Sequence, residues 1–103
     1  MERFSVFLVK LDPATGAETA KTRPCVIVSP NEVNRALDTV IIAPMTTIRR
    51  GWPTRVQVNF QGKTGEIAVD QVPAGDKTRL VKRLGELESV TATAILDTLG
   101  EKF

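Results

Sequence analysis

The stretch KTRPCVIVSPNEVNRALDTVIIAPMTT, residues 21–47, contains two continuous apolar runs, PCVIVSP and TVIIAP, which are punctuated by prolines. Short apolar runs between turn signals are typical of strands that are buried on both faces. The segment 31–37 between them suits one helical turn, capped by Asn31. Arg23 stands at the entrance of the first predicted strand and Thr46 at the exit of the second. A guanidinium and a hydroxyl therefore flank the predicted buried pair.

Most of the remaining chain also has the pattern of short strands separated by turns. Alternation of Val56, Val58 and Phe60 indicates a half-buried strand over 55–60, and the QGKTG turn leads from it to a strand over 66–72. Further strands are expected over 5–11 and 81–87, with loops over 12–22, 46–53 and 73–80.

The last segment, SVTATAILDTLGEKF, predicts a C-terminal helix. Its apolar residues recur at helical spacing, and it has a candidate N-cap and a candidate stop: Val90, Ala94, Ile95 and Leu99, with Ser89 before them and Gly100 after them. Several short strands followed by one helix favour a mainly β fold, a small and strongly bent antiparallel sheet or barrel. At 103 residues, the chain is expected to form a single domain, 1–103.

Composition excludes several classes of protein. The chain has no His, which rules out a His-centred triad, a HExxH zinc site and a pair of catalytic histidines. Its single cysteine, Cys25, lies in a buried run and is interpreted as a core residue rather than a nucleophile. No apolar run approaches the roughly 20 residues of a membrane span, so we expect a cytoplasmic protein that does not contact a membrane. The net charge of +2 means that nucleic-acid binding would need a local basic patch.

An ordered set of motifs resembles the MazF/PemK toxins of bacterial toxin–antitoxin systems. The motifs are LDPATGAE, KTRPCVIVSP, NRAL, IIAPMTT, PTRVQV, GEIAVDQV and DKTRLVKRLGEL, and they span nearly the whole chain. The resemblance implies an SH3-like small antiparallel barrel of the CcdB/PemK type that forms a homodimer. It also implies a sequence-selective endoribonuclease that needs no metal and no cofactor and that causes growth arrest. Such enzymes cut single-stranded RNA, mainly mRNA, and leave a 2′,3′-cyclic phosphate and a 5′-hydroxyl.

The resemblance also implies partners and site residues. A cognate antitoxin of the MazE/PemI type would block the RNA groove, and DNA would be contacted only through the antitoxin complex. The family's catalytic arginine and threonine correspond to Arg23 and Thr46. The substrate-binding candidates are Glu18, Lys21, Thr47, Arg49, Arg50, Asp70 and Gln71. Some relatives use a His and an Arg as acid and base where this chain has Ala17 and Ala68, which leaves the Arg–Thr version of the mechanism.

Three points stay open at the level of sequence. The general base is unassigned, because an unperturbed Thr or Arg is a poor proton acceptor at neutral pH, and either water or Glu18 is a candidate. The basic loop with Arg49, Arg50, Trp52 and Arg55 is a candidate rail for single-stranded RNA, although its Trp could instead pack against the antitoxin or a second copy. A gyrase poison of the CcdB type and a non-catalytic SH3-like module are the alternative functions.

Overall fold

The computed structural model describes residues 2–10 and 22–100, and within them the protein is mainly β, as predicted. The elements in chain order are β1 (Ser5–Lys10), β2 (Thr22–Ile27), α1 (Asn31–Ala36), β3 (Thr39–Thr46), β4 (Arg55–Phe60), β5 (Lys63–Ala68), β6 (Ala74–Asp76), β7 (Leu80–Glu86) and α2 (Ser89–Leu99), with a single 3-10 turn (Lys77–Arg79) before β7.

The strands form one curled antiparallel sheet in the order β4-β5-β3-β2-β1-β7. The short β6 pairs with the first three residues of β3, Thr39–Ile41. The curl brings the two ends of this order together. The Phe60 ring, at the end of β4, lies against Gly85 of β7, where an added Cβ would be 3.2 Å from the ring. The Gln61 amide donates to the Leu84 carbonyl at 3.0 Å. The sheet is therefore curled into a half-barrel in which the edge strands β4 and β7 approach each other, and this confirms the predicted fold class.

Two apolar clusters pack on opposite faces of the central strands. The larger cluster includes Val26, Val58 and Ile67, and Ile95 of α2 covers it. The smaller cluster includes Cys25, Ile27 and other residues of β1, β2 and β3. Side chains alternate along a strand, so each central strand contributes to both clusters and is buried on both faces, as its apolar run predicts.

Strand boundaries in the β4–β5 hairpin differ from the prediction. β5 begins at Lys63 rather than at residue 66, and Phe60 pairs with Lys63 across a two-residue turn. Gln61 and Gly62 have φ of 52° and 78°. Two central residues with positive φ make the turn whose twist matches that of the flanking strands, so pairing continues up to the turn. β6 likewise occupies part of the predicted loop 73–80.

Predicted caps were wrong at both helix starts. Asn31 is the first helical residue, and its side-chain oxygen accepts the Arg3 N–H at 2.7 Å instead of capping the helix. Ser89 is also inside its helix, which begins after Glu88. The stop at Gly100 is confirmed, because this residue ends α2 with φ of 77°. Val90, one of the apolar residues at helical spacing in α2, is 71% exposed. No described helix has the length and apolarity to cross a membrane.

Candidate active site

Pairing of β2 with β3 brings Arg23 and Thr46 to the same place. The ladder pairs Ile27 with Ile42 and Cys25 with Pro44. If this register is extended by two residues beyond the pair of Cys25 and Pro44, Arg23 is opposite Thr46. Both residues then project from one face of the sheet, because side chains two apart on a strand share a face. Both residues line a single cleft of about 250 Å³.

The cleft is polar and rich in cations. Its other lining residues are Pro44, Ile48, Arg50, Trp52, Arg55, Ala68 and Gln71. Of the predicted substrate-binding residues, Arg50 and Gln71 line this cleft. Arg49 lines a shallow groove next to it, which also includes Arg50 and Trp52. The strands, the basic loop and the segment after β5 therefore converge on one surface.

Two further predicted site residues, Thr47 and Asp70, do not line this cleft. Thr47 lines a mostly apolar pocket of about 260 Å³, which Thr46 also lines. Asp70 faces Arg55, with which it forms an ion pair. Glu18 and Lys21 lie outside the described residues 2–10 and 22–100. The described residues contain no group of three or more His, Cys, Asp or Glu side chains that could hold a metal ion.

The Thr46 hydroxyl is held in one orientation by the backbone. Its Oγ1 accepts the N–H of Ile48 at 3.1 Å, which is the local turn bond that threonine often makes at the end of a strand. A hydroxyl that accepts this bond still has its own proton to donate. Thr46 can therefore act as a hydrogen-bond donor that is fixed in position at the edge of the cleft.

Cys25 is a core residue, as the sequence predicts. Its side chain is fully buried in the smaller apolar cluster, and its Sγ donates to the Arg23 carbonyl at 3.6 Å. Burial raises the pKa of the Cys25 thiol to about 11, and the positive charge of Arg23 offsets this only in part. The thiol is protonated at neutral pH and is a poor nucleophile.

The basic loop between β3 and β4 surrounds its tryptophan with arginines. The guanidinium of Arg55 lies 4.7 Å from the centroid of the Trp52 ring, and that of Arg50 lies 5.4 Å from it. Both distances are in the range of cation–π attraction. Trp52 is 47% exposed, so the indole presents surface to the cleft while it is held by these two cations.

Glu66 is a site residue that the sequence prediction missed. Its side chain is only 2% exposed, and its Oε1 is 3.4 Å from Nη1 of Arg55. Backbone N–H groups of Arg50 and Gly51 are the main reason that the pKa of Glu66 is below its usual value, and Arg55 adds to the effect. Arg55 also donates from Nε to Asp70 at 2.7 Å, and this bond is the main cause of the lowered pKa of Asp70. The available signal was an acidic residue at the start of the strand that was predicted over 66–72, which also contains Asp70.

Comparison with known proteins agrees with this fold and with the motifs. Residues 2–103 match the family described as "PemK-like, MazF-like toxin of type II toxin-antitoxin system". The chain is 36% identical over 106 residues to the endoribonuclease PemK of Escherichia coli, an alignment that covers 97% of this chain and 77% of that protein.

Solved structures give the same result for the three-dimensional fold. A mycobacterial endoribonuclease in complex with its cognate antitoxin superposes with a TM-score of 0.79 at 28% identity, covering 100% of this chain and 98% of that one. The MazF of a MazE–MazF complex from Deinococcus radiodurans superposes with a TM-score of 0.84 at 21% identity, covering 98% and 93%. At that lower identity the likeness concerns the fold alone.

Proposed function

The chain belongs to the PemK-like, MazF-like toxins of type II toxin–antitoxin systems, and we propose that it is an endoribonuclease that cleaves single-stranded RNA with Arg23 and Thr46. The observation that carries the proposal is that these two residues, which are 23 positions apart in the chain, line one cleft. A cation with several donors beside a fixed hydroxyl suits the charge that develops on a phosphodiester during cleavage.

The proposed reaction uses the substrate's own 2′-hydroxyl. Its oxygen attacks the adjacent phosphorus, the bond from phosphorus to the 5′-oxygen breaks, and the products are a 2′,3′-cyclic phosphate and a 5′-hydroxyl. Arg23 binds the non-bridging oxygens and stabilises their added negative charge, and Thr46 donates a hydrogen bond to one of them. The 2′-hydroxyl proton passes to water or to Glu18, and the leaving 5′-oxygen takes a proton from water. No step requires a metal ion or a cofactor.

Charge around the cleft supports binding of a polyanion. Arg23, Arg49 and Arg50 lie on or beside the cleft, and Arg55 is paired with the carboxylates of Glu66 and Asp70. The first three therefore supply the positive potential that attracts phosphates. Bases of a single strand can stack on exposed aromatic surface, which Trp52 offers at the same place.

We further propose that the protein acts in the cytoplasm as a homodimer and that a cognate antitoxin neutralises it by covering this cleft. The mycobacterial relative is an endoribonuclease bound to its cognate antitoxin, which supports a partner of this kind. DNA contact would come only through the complex with the antitoxin. The single domain 1–103 would carry the whole cleavage activity.

The test is cleavage of a long RNA by purified protein in the presence of EDTA, with the 5′ ends of the products mapped. Wild-type protein should give discrete cuts. Arg23→Ala should lower kcat by about 10²–10³-fold, which is the effect of removing one preorganised donor to a developing charge. Because the Arg23 side chain is exposed, the melting temperature of the Arg23→Ala protein should stay nearly equal to that of the wild type.

Arg35→Ala is the matched control, since it removes the same side chain from the exposed surface of α1. Cleavage at the wild-type rate by Arg23→Ala contradicts the proposed role, and a large loss of stability identifies Arg23 as a structural residue instead. Intact RNA accompanied by gyrase-linked DNA breaks would establish a gyrase poison of the CcdB type.

A further inference from the structure

The buried carboxylate of Glu66 lies directly beside the proposed catalytic threonine. In the ladder between β3 and β5, Thr46 pairs with Glu66, and on the other side Glu66 pairs with Gln57 of β4. Directly paired residues project from the same face of a sheet. Glu66 therefore belongs to the face that forms the cleft, yet its side chain is almost fully shielded from water. A carboxylate in such a place requires partners, because an unpaired buried charge is strongly unfavourable.

Its partners occupy both carboxylate oxygens. Oε2 accepts the Gly51 N–H at 2.7 Å, and Oε1 faces Arg55 at 3.4 Å. An oxygen that accepts a charge-assisted or backbone hydrogen bond is a weakened proton acceptor. Glu66 is therefore poorly suited to be the missing general base, although it neighbours Thr46.

The same contacts fasten the loop between β3 and β4 to the sheet at two points. Glu66 holds the backbone of Gly51 directly. It also holds Arg55, whose N–H donates to the Trp52 carbonyl at 3.0 Å and whose guanidinium lies under the Trp52 ring. The loop residues that these contacts fix, Arg50 and Trp52, form one wall of the cleft that contains Arg23 and Thr46.

We propose that Glu66 is a positioning residue of this endoribonuclease: it clamps the loop of residues 47–54 against β5 so that Arg50 and Trp52 are set in place to bind the RNA strand. This role rests on the proposed function and adds to it a residue that does not touch the substrate. The clamp acts on substrate binding, because the wall it holds carries the cation and the aromatic ring rather than the reacting groups.

The test uses Glu66→Gln, which keeps the shape of the side chain and removes its charge. Its amide group must point a donor at either Gly51 or Arg55, so one contact of the clamp is lost. We expect KM for RNA to rise by about tenfold to a hundredfold, the factor given by loss of one hydrogen bond to a charged group, with kcat within about threefold of wild type. Glu32→Gln, at an exposed position of α1, is the matched control and should leave both constants unchanged.

A second measurement needs no RNA. Trp52 is the only tryptophan, so intrinsic fluorescence reports on the loop alone. Acrylamide should quench Glu66→Gln more strongly than wild type or Glu32→Gln. If Glu66→Gln fails to fold, Gly51→Ala tests the clamp from the loop side. Gly51 has φ of 69° with nothing within 4 Å of an added Cβ, so this variant strains only the loop backbone, and quenching and KM should again rise.

The outcomes separate this role from the proposed function. Wild-type protein that leaves RNA intact overturns the endoribonuclease function and this role with it. If wild type cleaves RNA but the variants keep the wild-type quenching or the wild-type KM, the function stands and the clamp is refuted. A fall in kcat at unchanged KM in Glu66→Gln also refutes it, because Glu66 would then act in the chemical step.

Discussion

Gly65 of β5 is in close contact with the backbone that carries the proposed catalytic threonine. An added Cβ would fall well inside 3.0 Å of the Thr46 carbonyl oxygen, and it would also lie 3.2 Å from the Thr46 carbonyl carbon and 3.5 Å from the Thr47 Cα. These are backbone atoms, so no flexible side chain can move aside. We predict that Gly65→Ala pushes the end of β3 away from β5 and shifts Thr46.

The size of the effect follows from this clash. Adding a methyl group to a tightly packed site costs about 1–3 kcal/mol. In a domain of this size, each kcal/mol lowers the melting temperature by about 4–8 °C, so a loss of at least about 4 °C is expected. A misplacement of catalytic groups by about 1 Å can lower the rate roughly a hundredfold, so kcat for RNA cleavage should fall by up to that factor.

The assay combines thermal unfolding with single-turnover cleavage of a defined RNA, at equal protein concentrations. Gly62→Ala in the same hairpin is the control. Gly62 has φ of 78° and open space around an added Cβ, so this variant should lose about 1–2 kcal/mol through backbone strain and still cleave at the wild-type rate. If Gly65→Ala loses stability but cleaves as fast as Gly62→Ala, the position of Thr46 does not matter for the reaction. If the melting temperature of Gly65→Ala equals that of the wild type, β3 accommodates the added methyl group without loss of stability, and the predicted clash is refuted.

Two further predictions concern stability. Ile95→Ala should lower the free energy of unfolding by about 2–5 kcal/mol in chemical denaturation, because Ile95 is fully buried in the larger cluster. The control Val90→Ala, on the same helix, should change the free energy of unfolding by less than about 0.5 kcal/mol. Equal effects of the two variants would contradict the packing of α2. The pKa values of Glu66 and Asp70 in the folded protein lie below their usual values of 4.5 and 3.8. The two carboxylates therefore contribute their full stabilisation when the pH is above the usual values. This stabilisation is lost as the pH falls through the lowered pKa values of the folded protein. Melting curves between about pH 3 and pH 6 should therefore show a steeper acid loss for wild type than for Glu66→Gln, and parallel curves would exclude a charged Glu66 in the folded protein.

Local patterns were sufficient for most of the fold. The apolar runs of β2 and β3, the alternation in β4 and the glycine stop of α2 each depend on neighbours within a few residues. The structure has all four features, although β2 covers Thr22–Ile27 rather than the predicted 24–30. One error fell where a tertiary contact competes with a local one. Asn31 bonds to Arg3 rather than to its own helix, since folding brings the Arg3 backbone N–H within reach.

The candidate site was only partly accessible from sequence. Arg23 and Thr46 were identified through family motifs, and the pairing of β2 with β3 then sets them on one face. Glu66 was missed, because nothing in the local pattern says that a charge in a strand will be buried with its partners. Those partners, Gly51 and Arg55, lie 15 and 11 residues away and are brought to it by the hairpin and the loop.

The sequence by itself determined the family and most of the secondary structure, because both are encoded in the order and spacing of residues along the chain. Only the tertiary structure decided which side chains share the cleft and which carboxylate holds its loop in place. Burial, ion pairing and the shift of a pKa depend on distances through space, and strand register sets those distances.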